Sequence, residues 1–307
     1  MEMNYVNFKN QKMPVFTKNN NYNTTILFLH GLNSNSSFIS NMLGYENKFN
    51  IVSVNFPGSK YAPDIDPENI ILDDWIDLAK AVLKGIKSKH IHILAHSMAG
   101  GVAVELAKDK RVEKVFMLAT INPTMTENKS YRLLHNVIGP ETGKPSVFGK
   151  LFVWGAKFFK KGKRLIDSFS RKGKWYNLLD KYILQPEFMK KLDKQYREVA
   201  DKLIFIIGDK DSIIGTNNFI NYANELNCPA VKIGETHSPI KVAGKQISNF
   251  LNLVVLSKKT RWPFNRFITF KKNVINVGES IDTDDSESVE EILDELNKNN
   301  DLELDKQ

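Results

Sequence analysis

The sequence predicts an α/β protein: a mostly parallel central sheet with helices on both faces, interrupted by a helical insertion. Three observations predict it. Unbroken β-rich runs at 25–29, 51–54, 92–95 and 115–118 read as strands buried on both faces. Helical patterns stand between them, and strand–helix–strand alternation argues for parallel pairing. The strand signal stops near residue 123 and resumes only at 203–207 and 230–233.

In chain order, Tyr5-Val6-Asn7-Phe8 and Pro14-Val15-Phe16 alternate around a polar turn and predict a leading hairpin over 5–16. A helix is predicted at 70–86, where Ile71, Trp75, Leu78, Val82 and Ile86 recur at three- and four-residue steps. A second helix opens after Ser97 and runs through Val102, Leu106 and Ala107. The stretch 123–200 reads as several helices rich in aromatics and lysine, one of them starting at Pro186, a favoured first helical position. A last helix ends near Leu256. The expected layout is a core of 1–122 and 201–256, a helical cap at 123–200, a basic aromatic extension at 257–277 and an acidic tail at 278–307.

The 307 residues are 42% apolar and 25% charged, which rules out wholesale disorder. Cys228 is the only cysteine, so there is no internal disulfide and no thiol framework for zinc or redox chemistry. The formal charge of +8 conceals two opposed pieces: 278–307 carries twelve acids and two lysines, a local −10, leaving +18 on the rest. Lysine (36) far exceeds arginine (7) and asparagine reaches 31, a usage that coding bias toward A and T also produces. The start, Met1-Glu2-Met3-Asn4, lacks a secretory pattern, and no apolar run approaches the roughly 18 to 20 residues of a membrane-spanning helix. The expectation is a soluble, cytoplasmic protein.

The chemistry concentrates in His92-Ile-Leu-Ala-His-Ser97-Met-Ala-Gly-Gly101. A serine at the turn from a buried strand into a helix, with small residues two positions either side, fits a nucleophile elbow. The turn is too tight for larger flanks, and the helix N-terminus behind it supplies N–H groups where an oxyanion would form.

These residues resemble the α/β-hydrolase superfamily, in its esterase, lipase and monoacylglycerol-lipase or lysophospholipase-like branches, over about residues 5–256. The family elbow reads Gly-x-Ser-x-Gly, commonly with His before and Met after the serine. His96 and Met98 match it, and Ala95 and Ala99 depart from it. The resemblance implies that the loop Leu29-His30-Gly31-Leu32-Asn33 shapes an oxyanion hole, with backbone N–H groups from Leu32 and Met98 and with His30 anchoring the loop. It also implies that Gly208-Asp-Lys-Asp211 carries the acid at Asp211, its local rival Asp209 facing solvent or capping the turn. His237, in Gly234-Glu-Thr-His-Ser-Pro239, then serves as base, and the order Ser97, Asp211, His237 is the one the fold uses. A serine activated by an imidazole, itself oriented by a carboxylate, cleaves acyl bonds. An isolated serine, aspartate or histidine in a loop is an ordinary polar surface residue; four matches in chain order, each after a predicted strand, carry the reading.

No cofactor or metal is expected: there is no phosphate loop or dinucleotide fingerprint, and His90-x-His92, the only close histidine pair, heads a core strand. A serine at the elbow argues against the dehalogenases and epoxide hydrolases of the superfamily, which use aspartate there. The expected partner is a small acyl ester, with monoglycerides or lysophospholipids favoured on resemblance and on the apolarity of the cap. A thioesterase or peptidase of the same fold, and a catalytically silent binding protein, are the alternatives. From Lys157 to Lys174 eight basic residues flank Phe158, Phe159 and Phe169, which suits peripheral contact with an anionic membrane. An ordinary cap with a lysine-coated outer face accounts for the same residues, and nucleic acid is not expected. In the tail, Val289, Ile292, Leu293 and Leu296 share one helical face. That helix is expected either to dock on the basic segments or to be a solvated acidic end.

Overall fold

The computed structural model describes residues 1–138, 173–256 and 268–269. The leading hairpin spans β1 (Glu2–Phe8) and β2 (Gln11–Lys18), longer at both ends than its alternation predicts. Its two turn residues, Lys9 and Asn10, both have positive φ (46° and 62°), which matches the right-handed twist of the flanking strands. There follow β3 (Thr24–Leu29), β4 (Asn50–Val54), β5 (His90–His96), β6 (Val112–Leu118), β7 (Leu203–Ile207), β8 (Ala230–Lys232) and a two-residue β9 (Ile268–Thr269). The sheet order is β1-β2-β4-β3-β5-β6-β7-β8-β9. Among the described residues, the β1–β2 and β2–β4 pairs are antiparallel and the six other pairs are parallel.

Strand order reverses at β3: β4 lies on one side of it and β5 on the other. In open α/β sheets, ligands bind at such a switch point, outside the carboxyl ends of the strands. The loops that leave β3 and β5 are those of His30 and Ser97.

Both faces of the sheet are covered. Along β3, Leu27 and Leu29 enter one apolar core while Ile26 and Phe28 enter the other. This two-residue alternation with both sides buried is why the strands read as continuous apolar runs. One face packs the short α1 (Ser40–Leu43), and the other packs α2 (Leu72–Gly85) and α3 (Gly100–Leu106). Helix α2 is shorter than predicted: Ile71 is its extended N-cap residue and Ile86 lies past its end. Asp73 and Asp74 complement the helix dipole in the first turn. Asp74 is buried and ties the helix to the hairpin turn through Lys9 Nζ at 2.7 Å.

Between β6 and β7 the described residues form a 3₁₀ turn (Pro123–Glu127), helix α4 (Lys129–Ile138), a helical turn at Tyr176–Leu178 that runs into a π segment (Leu179–Ile183), and α5 (Pro186–Glu198). Pro186 takes the first turn of α5 as expected. Two helices complete the unit, α6 (Thr216–Glu225) and α7 (Pro239–Leu256). Helix α6 is not apparent in the sequence, because asparagines dilute its apolar stripe of Phe219, Ile220, Tyr222 and Ala223. Most of the basic aromatic stretch 157–174, the extension apart from Ile268 and Thr269, and the acidic tail lie outside the described residues. Among the described residues, no helix is long and apolar enough to cross a membrane.

Candidate active site

Ser97 stands directly after β5, at the first residue of a 3₁₀ turn that continues into α3. Its φ is 53°, in the left-handed region that non-glycine residues seldom adopt. Such strain persists only where the surroundings hold it, and it cocks the side chain out of the strand–helix corner. The corner is held tightly: Ala95, Met98 and Ala99 are fully buried, and the Ile121 N–H donates to the Ser97 carbonyl at 3.1 Å. This close packing accounts for small residues at the flanks.

Asp211 and His237 come together 26 residues apart in sequence, His237 Nδ1 to Asp211 Oδ2 at 3.0 Å, with side chains 5% and 0% exposed respectively. The other Asp211 oxygen, Oδ1, accepts the backbone N–H groups of Ile213 and Ile214, each at 2.9 Å. Only one face of the carboxylate is thereby left to the imidazole. The Asp211 backbone N–H donates to Thr216 Oγ1 at the start of α6, so that helix also sets the acid's position. Asp209 faces outward on Lys232 Nζ at 2.7 Å, away from the imidazole. The loops of Asp211 and His237 are zipped to each other: Asp209 N–H donates to Gly234 O at 3.0 Å and Lys210 N–H to Glu235 O at 2.8 Å.

A further contact brings this pair to the elbow. His96, the residue before Ser97, has its Nε2 2.9 Å from the His237 carbonyl, and the two rings lie 4.9 Å apart. A carbonyl can only accept, so Nε2 of His96 carries the proton. Sequence reading placed His96 beside the nucleophile without this role; the contact spans 141 residues and leaves no local signal.

The loop after β3 also meets the elbow. A Cβ on Gly31 would stand 2.7 Å from Ser97 Cβ and 3.3 Å from its Oγ, so glycine is required for so close an approach. His30 is buried and bonded at both nitrogens. The Phe56 N–H donates to Nε2 at 3.0 Å, so Nδ1 bears the proton and donates to Gly31 O at 2.8 Å. That carbonyl shares a planar trans peptide with the Leu32 N–H, which therefore points the opposite way. His30 thus orients the peptide whose N–H the sequence nominates.

A family model described as "alpha/beta hydrolase fold" matches residues 24–142. A Mycoplasma genitalium protein named "Putative esterase/lipase 1" is 22% identical over 246 residues, covering 75% of this chain and 89% of that protein. Among solved structures, haloalkane dehalogenase DbeA from Bradyrhizobium elkani superposes with a TM-score of 0.62 at 12% identity, covering 83% of this chain and 97% of that one. A structure described as "a putative aryl esterase from Burkholderia cenocepacia" does so with a TM-score of 0.56 at 14% identity, covering 83% and 100%. The chain has the α/β-hydrolase fold.

In this fold, three histidines outside the Asp211–His237 pair are held neutral by burial. It pushes His30 down to about 4, His92 to about 4 and His96 to about 3, the last helped by the neighbouring His237. Unfolded, all three titrate near 6.5. Between pH 6.5 and about 4 the unfolded chain therefore takes up protons that the folded one refuses, and stability falls as pH falls through that window. The loss is about 1.4 kcal/mol per pH unit per histidine. Urea midpoints should drop between pH 7 and pH 5, and His92→Leu, remote from the elbow on the opposite end of β5, should flatten the drop by about a third. Equal slopes in wild type and His92→Leu would refute this account.

Proposed function

We propose that this protein is an α/β hydrolase, a serine esterase or lipase that cleaves carboxylic (acyl) esters through an acyl-enzyme on Ser97. One observation carries the reading: the buried Asp211–His237 pair is tethered by its own carbonyl to the residue preceding a serine of positive φ. Asp211 accepts the Nδ1 proton of His237, which leaves Nε2 as the basic nitrogen. Nε2 takes the Ser97 proton while Oγ bonds to the acyl carbon. The proton then passes to the departing alkoxide as the C–O bond breaks. Water repeats the sequence on the acyl-enzyme, releasing the acid and regenerating Ser97. The developing oxyanion is held by the Leu32 and Met98 N–H groups, an arrangement in which each donor is worth about 10² to 10³ in rate.

The naming of the Mycoplasma relative supports an ester substrate over a thioester or amide. Serine at the elbow separates this chain from the dehalogenase chemistry of its structural neighbour. Monoglycerides and lysophospholipids are the favoured esters. The competing reading is a binding protein that retains the fold without turnover.

Incubation with a fluorophosphonate should add one phosphonyl group to the peptide containing Ser97, and p-nitrophenyl esters of increasing chain length should be hydrolysed with an optimum that reports the acyl pocket. Ser97→Ala should do neither. A wild-type protein that is folded, unlabelled and inert toward every ester would leave the binding protein as the reading.

A further inference from the structure

We infer that Trp175 is a positioning residue that holds the oxyanion loop in its working conformation, tying residues between β6 and β7 to the catalytic step. The inference rests on the hydrolase reading above. Its starting point is Asn33, the residue after Leu32, whose φ is 56°. Asparagine tolerates the left-handed region better than most residues but still needs holding there. Its Oδ1 accepts the indole Nε1–H of Trp175 at 3.1 Å, across 142 residues of chain.

Trp175 is built to hold that bond. It is 3% exposed and meets Trp75 edge to face, with centroids 6.1 Å apart and planes at 86°. Gly58, at φ 92°, leaves room for the ring: a Cβ there would lie 2.9 Å from Trp175 Cζ3. Trp75 in turn stacks on Phe56 at 4.4 Å with planes 5° apart, and its own Nε1–H is engaged by Pro57 O. The backbone N–H of Phe56 is the donor to His30 Nε2. A single aromatic stack therefore grips both ends of the loop: His30 through the Phe56 backbone and Asn33 through the Trp175 indole. The Leu32 N–H lies between the two grips. With the His30 end alone held, Asn33 is free to leave the left-handed region, and the turn of the chain after Leu32 then tilts the Gly31–Leu32 peptide and its N–H away from the oxyanion.

A ring that merely fills space predicts something different from a ring that donates a hydrogen bond, and phenylalanine separates the two. Trp175→Phe keeps an aromatic ring facing Trp75 and removes the donor, together with the Cζ3–Cη2 edge that packs against Gly58. Asn33→Gly keeps access to positive φ and removes the acceptor. Each is expected to lower kcat on a short p-nitrophenyl ester about 10-fold, with KM within about 2-fold, because a misplaced oxyanion donor weakens transition-state rather than substrate binding. Fluorophosphonate labelling should slow in proportion, and the double variant should lose no more than either single one, since both remove the same bond. Wild-type kcat in Trp175→Phe, a change confined to KM, or multiplicative losses in the double variant would overturn the inference. If Trp175→Phe does not fold, Asn33→Gly, which leaves the stack intact, carries the same expectation and the same refutation. Failure of the wild type itself to label would instead strike the hydrolase reading, so the two failures are told apart.

Discussion

Asp211→Asn is expected to lower kcat for ester hydrolysis by about 10⁴-fold while leaving the protein folded. The asymmetry comes from how the two carboxylate oxygens are used. Oδ1 accepts the N–H groups of Ile213 and Ile214, and an asparagine carbonyl oxygen accepts them equally well. The amide nitrogen is then driven to the position of Oδ2, 3.0 Å from His237 Nδ1. There it donates, so Nδ1 must accept and the ring proton moves to Nε2. A base protonated at the nitrogen that should take the Ser97 proton is no base. The loop keeps its backbone bonds, so thermal melting should change little while the rate collapses. Asp209→Asn is the matched control: that side chain sits outside on Lys232, and its kcat should stay within about 2-fold of wild type. Measured kcat for Asp211→Asn within 10-fold of wild type, in a protein with an unchanged melt, would remove Asp211 from the mechanism.

The parts of the molecule legible in the sequence are those where local pattern and tertiary role coincide. Parallel strands covered on both faces must be apolar at successive positions, so β3, β5, β6 and β7 announce themselves. The elbow is legible because its backbone constraint falls on adjacent residues, with Ala95 and Ala99 fully buried around Ser97. Helix α6 is not, because Thr216-Asn-Asn-Phe-Ile-Asn-Tyr-Ala-Asn-Glu buries only part of its length and carries an ordinary loop composition. The supports of the site escape sequence reading for a different reason. His96 on the His237 carbonyl and Trp175 on Asn33 each join residues more than 140 positions apart, and the partner of each is a carbonyl or a side-chain amide that any loop can offer. A single sequence shows which side chains can do chemistry. It does not show which of them hold the others still.

The first residue of the Gly-x-x-Asp pattern illustrates that division, and it carries the second large expectation: Gly208→Ala should cost about 3 kcal/mol of stability and on the order of 10³ in kcat together. Gly208 follows β7 at the point where the acid loop crosses the histidine loop. A Cβ there would lie 2.7 Å from the Glu235 carbonyl carbon and closer still to the Thr236 carbonyl oxygen. Both obstacles are backbone, so no side chain can rotate to make room. They are also the two residues immediately before His237. Relief requires the loops to part, which strains the Asp209–Gly234 and Lys210–Glu235 backbone bonds and draws His237 Nδ1 away from Asp211 Oδ2. Stability and catalysis should therefore fall as one, in contrast to Asp211→Asn, where only catalysis falls. Urea denaturation beside kcat on the same preparation tests this, and a Gly208→Ala protein with wild-type stability and full activity would show that the crossing is slack enough to admit a methyl group. The glycine of this motif is then a spacing requirement, set by two loops that must touch for the carboxylate to reach the imidazole.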